Sequence, residues 1–192
     1  MTRTKAEWRR VLLAARSAID TEARRACSAG IADRVVALLP FERARTLFGY
    51  VAIGAEADPE SILQRSRASR IFVPASSDAG AAPSWIAWGT AELGAPHCPV
   101  IGPEGFPAVI LVPGVGFDEA GMRLGRGQGF YDRVLAALRG SGDVFVIGLA
   151  FEAQIVSKLP ADPWDQGMDC VVSEKRIVRS ARWLARSGAT PR

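Results

Sequence analysis

Residues 111–135 read LVPGVGFDEAGMRLGRGQGFYDRVL, and the fold is decided by how this stretch is divided. It begins inside an unbroken apolar run, Val109, Ile110, Leu111 and Val112, which Pro113-Gly114 halts. A short apolar run stopped in this way reads as a strand buried on both faces. At the other end Tyr131, Val134, Leu135 and Leu138 recur at helical spacing, so a helix follows. Between them lie Gly114, Gly116, Gly121, Gly125 and Gly127, with Gly129 where the helix starts. A chain this rich in glycine lets backbone N–H groups close on an anion, and the helix N-terminus adds a favourable dipole. Arg123 and Arg126 set two permanent positive charges beside it. The stretch reads as a strand, a phosphate cradle and a helix.

Working outward, the same alternation recurs. Residues 4–19 predict an amphipathic helix with Trp8, Leu12, Ala15 and Ile19 as its apolar stripe. At about 100° per residue, Lys5, Arg9 and Arg16 fall within roughly 40° of one another beside that stripe. On this feature alone the plain reading is a solvated charged face. A second helix is expected over 21–39, capped by Thr21 and stopped by Pro40. Strands are expected at 46–53, 71–73, 84–88, 144–149 and 170–172, and short helices at 60–67, 151–159 and 175–186. The tryptophans of 84–88 read as packing groups. Residues 89–107, with four prolines and no period, read as loop. Buried apolar strands separated by helices give an α/β fold, a mostly parallel sheet flanked by helices, in one domain over 1–192. Ligands of such sheets bind beyond the carboxyl ends of strands, where the glycine loop falls.

Composition narrows the chemistry. The length of 192 residues and 48% hydrophobic content suit one soluble domain with a full core. The most apolar uncharged stretch, 106–117, is broken by Gly and Pro well short of a membrane span, and residues 1–16 are too charged for a signal peptide. Cys27, Cys98 and Cys170 are scattered and odd in number, which points to the reducing cytoplasm and away from disulfides or a zinc ribbon. His97 is the only histidine, so a serine-histidine hydrolase or a multi-histidine zinc site is not expected. The net charge of +4 suits an anionic small molecule as well as a nucleic acid.

The loop is not a Walker A motif, because GRGQGFYD lacks the required Lys and Ser or Thr. Nor is it a dinucleotide fingerprint, since Phe130 stands where a third glycine is wanted and about a dozen residues separate it from the strand. On spacing alone a structural turn and a ligand loop both remain open. Asp132 can serve either as a helix N-terminal charge or as a magnesium ligand against phosphate.

The stretch PGVGFDEAGMRLGRGQGFYDRVL also resembles the signature of the 5-formyltetrahydrofolate cyclo-ligase (methenyltetrahydrofolate synthetase) family. Lys5 and Arg9 in KAEWR resemble its N-terminal Lys-x-x-x-Arg, Glu56 its glutamate after an early strand, and IGLAFEAQIVSKLPADPWDQGMDCVVSE its C-terminal segment. The resemblance implies a fold akin to the sugar-phosphate isomerase and CoA-transferase group. It also implies ATP-dependent conversion of 5-formyltetrahydrofolate to 5,10-methenyltetrahydrofolate. Lys5, Arg9 and the loop Arg123, Leu124, Gly125, Arg126, Gly127, Gln128, Gly129, Phe130 and Tyr131 would bind ATP, with Arg126 and Tyr131 taking part in catalysis. Arg9, Val51, Glu56, Arg126, Gly127, Gln128, Gly129 and Phe130 would face the folate, and Asp132 and Asp165 would hold Mg²⁺. Its partners would be ATP and a reduced folate, with no nucleic acid and no membrane, and the chain would act as a monomer. Gln128 stands at a variable family position, Phe130 replaces the first Tyr of a Tyr-Tyr-Asp, and residues 94–99 (GAPHCP) lack the Glu-Pro or tryptophan expected near the folate. Other classes remain to be weighed: a non-catalytic nucleotide- or folate-binding protein, and an RNA-binding module using Arg9, Arg10, Arg16, Arg24 and Arg25.

Overall fold

A computed structural model describes residues 3–75, 84–89 and 101–186. The GAPHCP segment and His97 lie outside the described residues. The chain opens with helices α1 (Lys5–Ser17), α2 (Thr21–Val36) and the single turn α3 (Leu39–Glu42), followed by strand β1 (Thr46–Phe48). Helix α4 (Glu60–Gln64) leads to strands β2 (Arg70–Pro74), β3 (Trp85–Ala87), β4 (Ala108–Pro113), β5 (Gly116–Asp118) and β6 (Arg123–Leu124). Helix α5 (Phe130–Ser141), strands β7 (Val144–Leu149), β8 (Ile155–Val156), β9 (Cys170–Val172) and β10 (Ile177–Arg179), and helix α6 (Ala181–Arg186) complete it.

Seven strands form the main sheet in the order β10-β9-β7-β4-β1-β2-β3. The five inner strands pair in parallel, and each edge strand pairs antiparallel. Period-two alternation sorts the side chains of the central strands to the two faces. Along β4, Val109 and Leu111 join a core with Ile31, Val35 and Ile62 from α2 and α4, while Ala108, Ile110 and Val112 join Val134 and Leu135 of α5 on the other side. Both faces are thus covered, which is why β4 and β7 read as continuous apolar runs.

The chain leaves β1 for β2 on one side, whereas β4 is followed by β7 on the other. The sheet therefore reverses direction between β1 and β4, and a crevice opens beyond their carboxyl ends. A second, three-stranded sheet in the order β6-β5-β8 grows out of the glycine-rich stretch and floors α1. Gly116 permits that approach, since a Cβ there would run into the Leu12 side chain.

Several expected boundaries are corrected. Asp20, not Thr21, caps α2, its carboxylate accepting from Ala23 N at 2.8 Å. That helix stops at Val36 because Leu38 is already extended before α3, which carries Pro40 in its first turn. The first strand ends at Phe48, and the helix expected over 60–67 ends at Gln64. Residues 151–159 form no helix beyond a single 3-10 turn, Glu152–Gln154; Ile155 and Val156 extend to pair with β5. Within 175–186, Ile177–Arg179 is an edge strand on β9, and only Ala181–Arg186 is helical. Residues 103–105, expected as loop, make a 3-10 turn.

Candidate active site

Helix α1 supplies one wall of the site. A capping box fixes its start, with Thr4 N donating to Glu7 Oε2 at 2.7 Å and Glu7 N donating to Thr4 Oγ1 at 3.3 Å. Its basic edge, read from sequence as solvated, faces inward. Lys5 Nζ lies 2.7 Å from Asp162 Oδ2 and 2.5 Å from Asp165 Oδ2. One turn on, Arg9 Nε donates to the Gly125 carbonyl at 2.8 Å. Two turns further, Arg16 is 4% exposed and donates through Nη1 to the Gly114 carbonyl at 3.2 Å.

The glycine loop forms the adjoining wall. Gly127 and Gly129 adopt φ of 98° and 64°, left-handed conformations open to glycine at little cost. Gly129 turns the chain directly into α5, whose first turn carries Tyr131 and Asp132. Arg123 Nη2 sits 3.1 Å from Asp132 Oδ2, with its guanidinium 5.4 Å from the centre of the Tyr131 ring. Gln166 N donates to Asp132 Oδ1 at 3.1 Å, which ties the acidic loop of Asp162 and Asp165 to the start of α5.

Beyond β1, Glu56 lies between two arginines. Its Oε1 is 3.0 Å from Arg126 Nη2 and 3.9 Å from Arg16 Nη1, and its Oε2 accepts from Ile53 N at 3.1 Å. Together these walls enclose a cleft of about 1180 Å³ lined by Lys5, Arg9, Val51, Glu56 and the loop from Arg123 to Asp132, with Asp165 among the rest. Every sequence-derived site residue borders it. The Leu124 side chain is turned away into the core beneath α1, so this residue offers only backbone.

Burial and charge set the protonation states. Burial draws the Lys5 ammonium down, but its hydrogen bonds to Asp162 and Asp165 outweigh that and leave its pKa above the ordinary lysine value. Burial pushes the Tyr131 phenol well up, so the hydroxyl stays neutral and can donate. The Arg16 guanidinium is lowered by burial and partly restored by Glu56. Arg16 Nε and Arg123 Nε are buried without a protein partner.

Comparison with known proteins places this architecture. Residues 1–174 match the model of the 5-formyltetrahydrofolate cyclo-ligase family. The chain belongs to that family. A cyclo-ligase of Mycolicibacterium smegmatis is 33% identical over 156 residues, covering 72% of this chain and 78% of the relative. The structure of the Aquifex aeolicus 5,10-methenyltetrahydrofolate synthetase superposes with a TM-score of 0.72 at 29% identity, covering 92% of this chain and 93% of that one. The synthetase of Mycoplasma pneumoniae gives 0.70 at 27% identity, over 88% and 98% of the two chains. The mixed, mostly parallel α/β sheet is the fold of these cyclo-ligase structures.

Among the described residues no group of three or more His, Cys, Asp or Glu side chains is arranged to hold a metal ion. The cleft nonetheless fits Mg²⁺ brought in with phosphate. That ion takes hard oxygen donors and is commonly held by one or two carboxylates plus phosphate and water. Asp132 and Asp165 are such donors, and each is paired with a cation, Arg123 or Lys5, that a phosphate can engage instead.

Among residues to which sequence pattern assigns no site role, Ile53 and Trp164 line the cleft, and Arg16 lies behind its Glu56. Arg16 had a signal, its place on the same helical edge as Lys5 and Arg9. Ile53 and Trp164 lie in loops without a period, and only their exposure of 49% and 69% on the cleft rim marks them.

Proposed function

We propose that the chain closes 5-formyltetrahydrofolate to 5,10-methenyltetrahydrofolate with ATP, releasing ADP and phosphate. The supporting observation is a single cleft that holds Lys5, Arg123, Asp132 and Asp165 at one end and Glu56 at the other, with the glycine loop between them. The triphosphate lies along the N–H groups of Gly125, Gly127 and Gly129, with Lys5 and Arg9 balancing its charge. Glu56, an acceptor held by Ile53 N, takes N–H donors of the pterin, and Val51 lies against the folate. Arg9, Gln128 and Phe130 complete the shared wall.

The folate formyl oxygen attacks the γ-phosphorus, and the bond from phosphorus to the ADP oxygen breaks. N10 then attacks the activated carbon and loses its proton to solvent. The carbon–oxygen bond breaks, phosphate leaves, and one carbon bridges N5 and N10. No protein nucleophile is needed, so catalysis rests on position and charge. Arg126, half-exposed on its pair with Glu56, stabilises the transferring phosphoryl group. The neutral Tyr131 hydroxyl donates to it. Asp132 and Asp165 would hold Mg²⁺, which when bound offsets phosphate charge.

The same reading has the chain act as a cytoplasmic monomer on two small molecules. Among the described residues no helix is long and apolar enough to cross a membrane. Arg9 lines the cleft and Arg16 is buried against Glu56 and the Gly114 carbonyl, which divides the arginine set that an RNA-binding surface would need. The test is to mix the purified protein with ATP, Mg²⁺ and 5-formyltetrahydrofolate and follow methenyltetrahydrofolate absorbance. Absence of product across a broad range of pH and enzyme concentration refutes the proposal; binding of either ligand without turnover supports the non-catalytic reading.

A further inference from the structure

The proposed reaction accounts for the charged groups of the cleft and leaves Trp164 without a role. Its indole is 69% exposed, the most of any large apolar side chain among the described residues. Tryptophan ordinarily buries most of its ring, so an open indole on a cleft rim needs a reason. The backbone beneath it is firmly tied. Asp162 N donates to Asp165 Oδ2 at 2.7 Å, Asp165 N to the Asp162 carbonyl at 3.0 Å, and Gln166 N to Asp132 Oδ1 at 3.1 Å. Lys5 bridges Asp162 and Asp165, the aspartates that flank Trp164 in sequence. The loop is built to present the indole to the cleft.

Its location selects the ligand. Helix α1 runs along the cleft with Lys5 at the Trp164 end and Arg16 at the Glu56 end. Eleven residues at 1.5 Å each separate these ends by about 16 Å. The pterin acceptor Glu56 and Ile53, whose N–H it accepts, belong to the far end, and the loop from Arg126, paired with Glu56, to Asp132, tied to Gln166, spans the two. A triphosphate laid over that loop carries its base past Lys5 and Asp132, to where Trp164 stands.

We propose that Trp164 is the platform on which the purine base of the nucleotide stacks, an inference that rests on reading the cleft as an ATP site. A flat indole gives a base its π-face while the charged loop residues hold the phosphates. The experiment is calorimetric titration of wild type, Trp164→Ala and Trp164→Phe with Mg-ATP, inorganic tripolyphosphate and 5-formyltetrahydrofolate. Trp164→Ala is expected to weaken ATP on the order of tenfold, within the range for removal of one base-stacking aromatic. Trp164→Phe retains most of the affinity, and tripolyphosphate and folate bind both variants as they bind wild type. Unchanged ATP affinity in Trp164→Ala overturns the inference while leaving the ATP site standing. An equal loss for tripolyphosphate, or a loss for folate alone, also overturns it. If wild type binds no ATP, the cyclo-ligase reading falls as well.

Discussion

Replacing Arg16 or Arg126 by methionine removes a guanidinium from the same carboxylate, yet the two variants should fail differently. The Arg16 side chain is 5% exposed and that of Glu56 8%, with the charges 3.9 Å apart. At the effective dielectric of about 20 suited to protein sites, such a pair attracts by about 4 kcal/mol. Arg16 gave up hydration to reach this position, which offsets part of that attraction. Arg126 remains 3.0 Å from Glu56 Oε1, so the carboxylate is not left alone, and Gln154 Nε2 still donates to the Gly114 carbonyl. A net loss of about 2–3 kcal/mol follows for Arg16→Met, or about 5–10 °C in melting temperature for a domain of this size. Arg126 is 50% exposed, and solvent screening limits its pair to about 1 kcal/mol or less. Arg126→Met should therefore melt within about 3 °C of wild type and lose kcat by about 10²- to 10³-fold, the usual cost of removing a transition-state donor. Arg16→Met, assayed well below its melting temperature, should keep kcat within a few-fold and raise KM for the folate, because Glu56 loses its fixed neighbour. Thermal melts and the methenyltetrahydrofolate absorbance assay on both variants decide the matter. Equal melting temperatures for the two, or full kcat in Arg126→Met, would refute the division of labour.

Three further outcomes can be checked. The raised pKa of Lys5 means that folding favours its charged form, so its contribution to stability is complete at neutral pH and is lost as pH rises beyond about 10. The melting temperatures of wild type and Lys5→Met should accordingly converge at strongly alkaline pH, and a constant gap would count against the ion pair. Tyr131→Phe should lower kcat by about tenfold or more while leaving the neutral-pH profile unchanged, since burial already keeps the phenol protonated; a lost alkaline limb would show instead that the hydroxyl ionises during turnover. Asp132→Asn should raise the Mg²⁺ concentration needed for half-maximal turnover several-fold, measured by titrating the metal at fixed ATP, and an unaltered requirement removes Asp132 from the metal's ligands.

What the sequence disclosed followed from local pattern. β4, β7, β9 and α5 are long or apolar enough that local pattern alone marks them, and the glycines between β4 and α5 announce the loop whose left-handed turns only the folded chain displays. β6 and β8 have two residues each and exist only because β5 pairs with both, an association that no short window of sequence contains. β10 lies in a basic segment whose charges suggest a helix, yet its pairing with β9 prevails. The site divides along the same line. Arg123, Arg126 and Asp132 stand within one motif, whereas the contact of Lys5 with Asp162 joins residues 157 positions apart. Arg16 was hidden by its type, because an arginine on a charged edge is ordinarily solvated and only the neighbouring Glu56 and Gly114 show that this one is buried.

Because α1 carries Lys5, Arg9 and Arg16 on one edge, its length and phase are fixed by three separate attachments, at the acidic loop, the glycine loop and Glu56. Inserting one residue between Arg9 and Leu12 would rotate everything after it by about 100° and advance it by about 1.5 Å. Arg16 would swing off Glu56, and Leu12 off the space that Gly116 leaves for it. Point substitutions along the outer face of this helix should be tolerated far better than any change in its residue count, so it acts as a ruler that sets the spacing of the acidic loop, the glycine loop and Glu56.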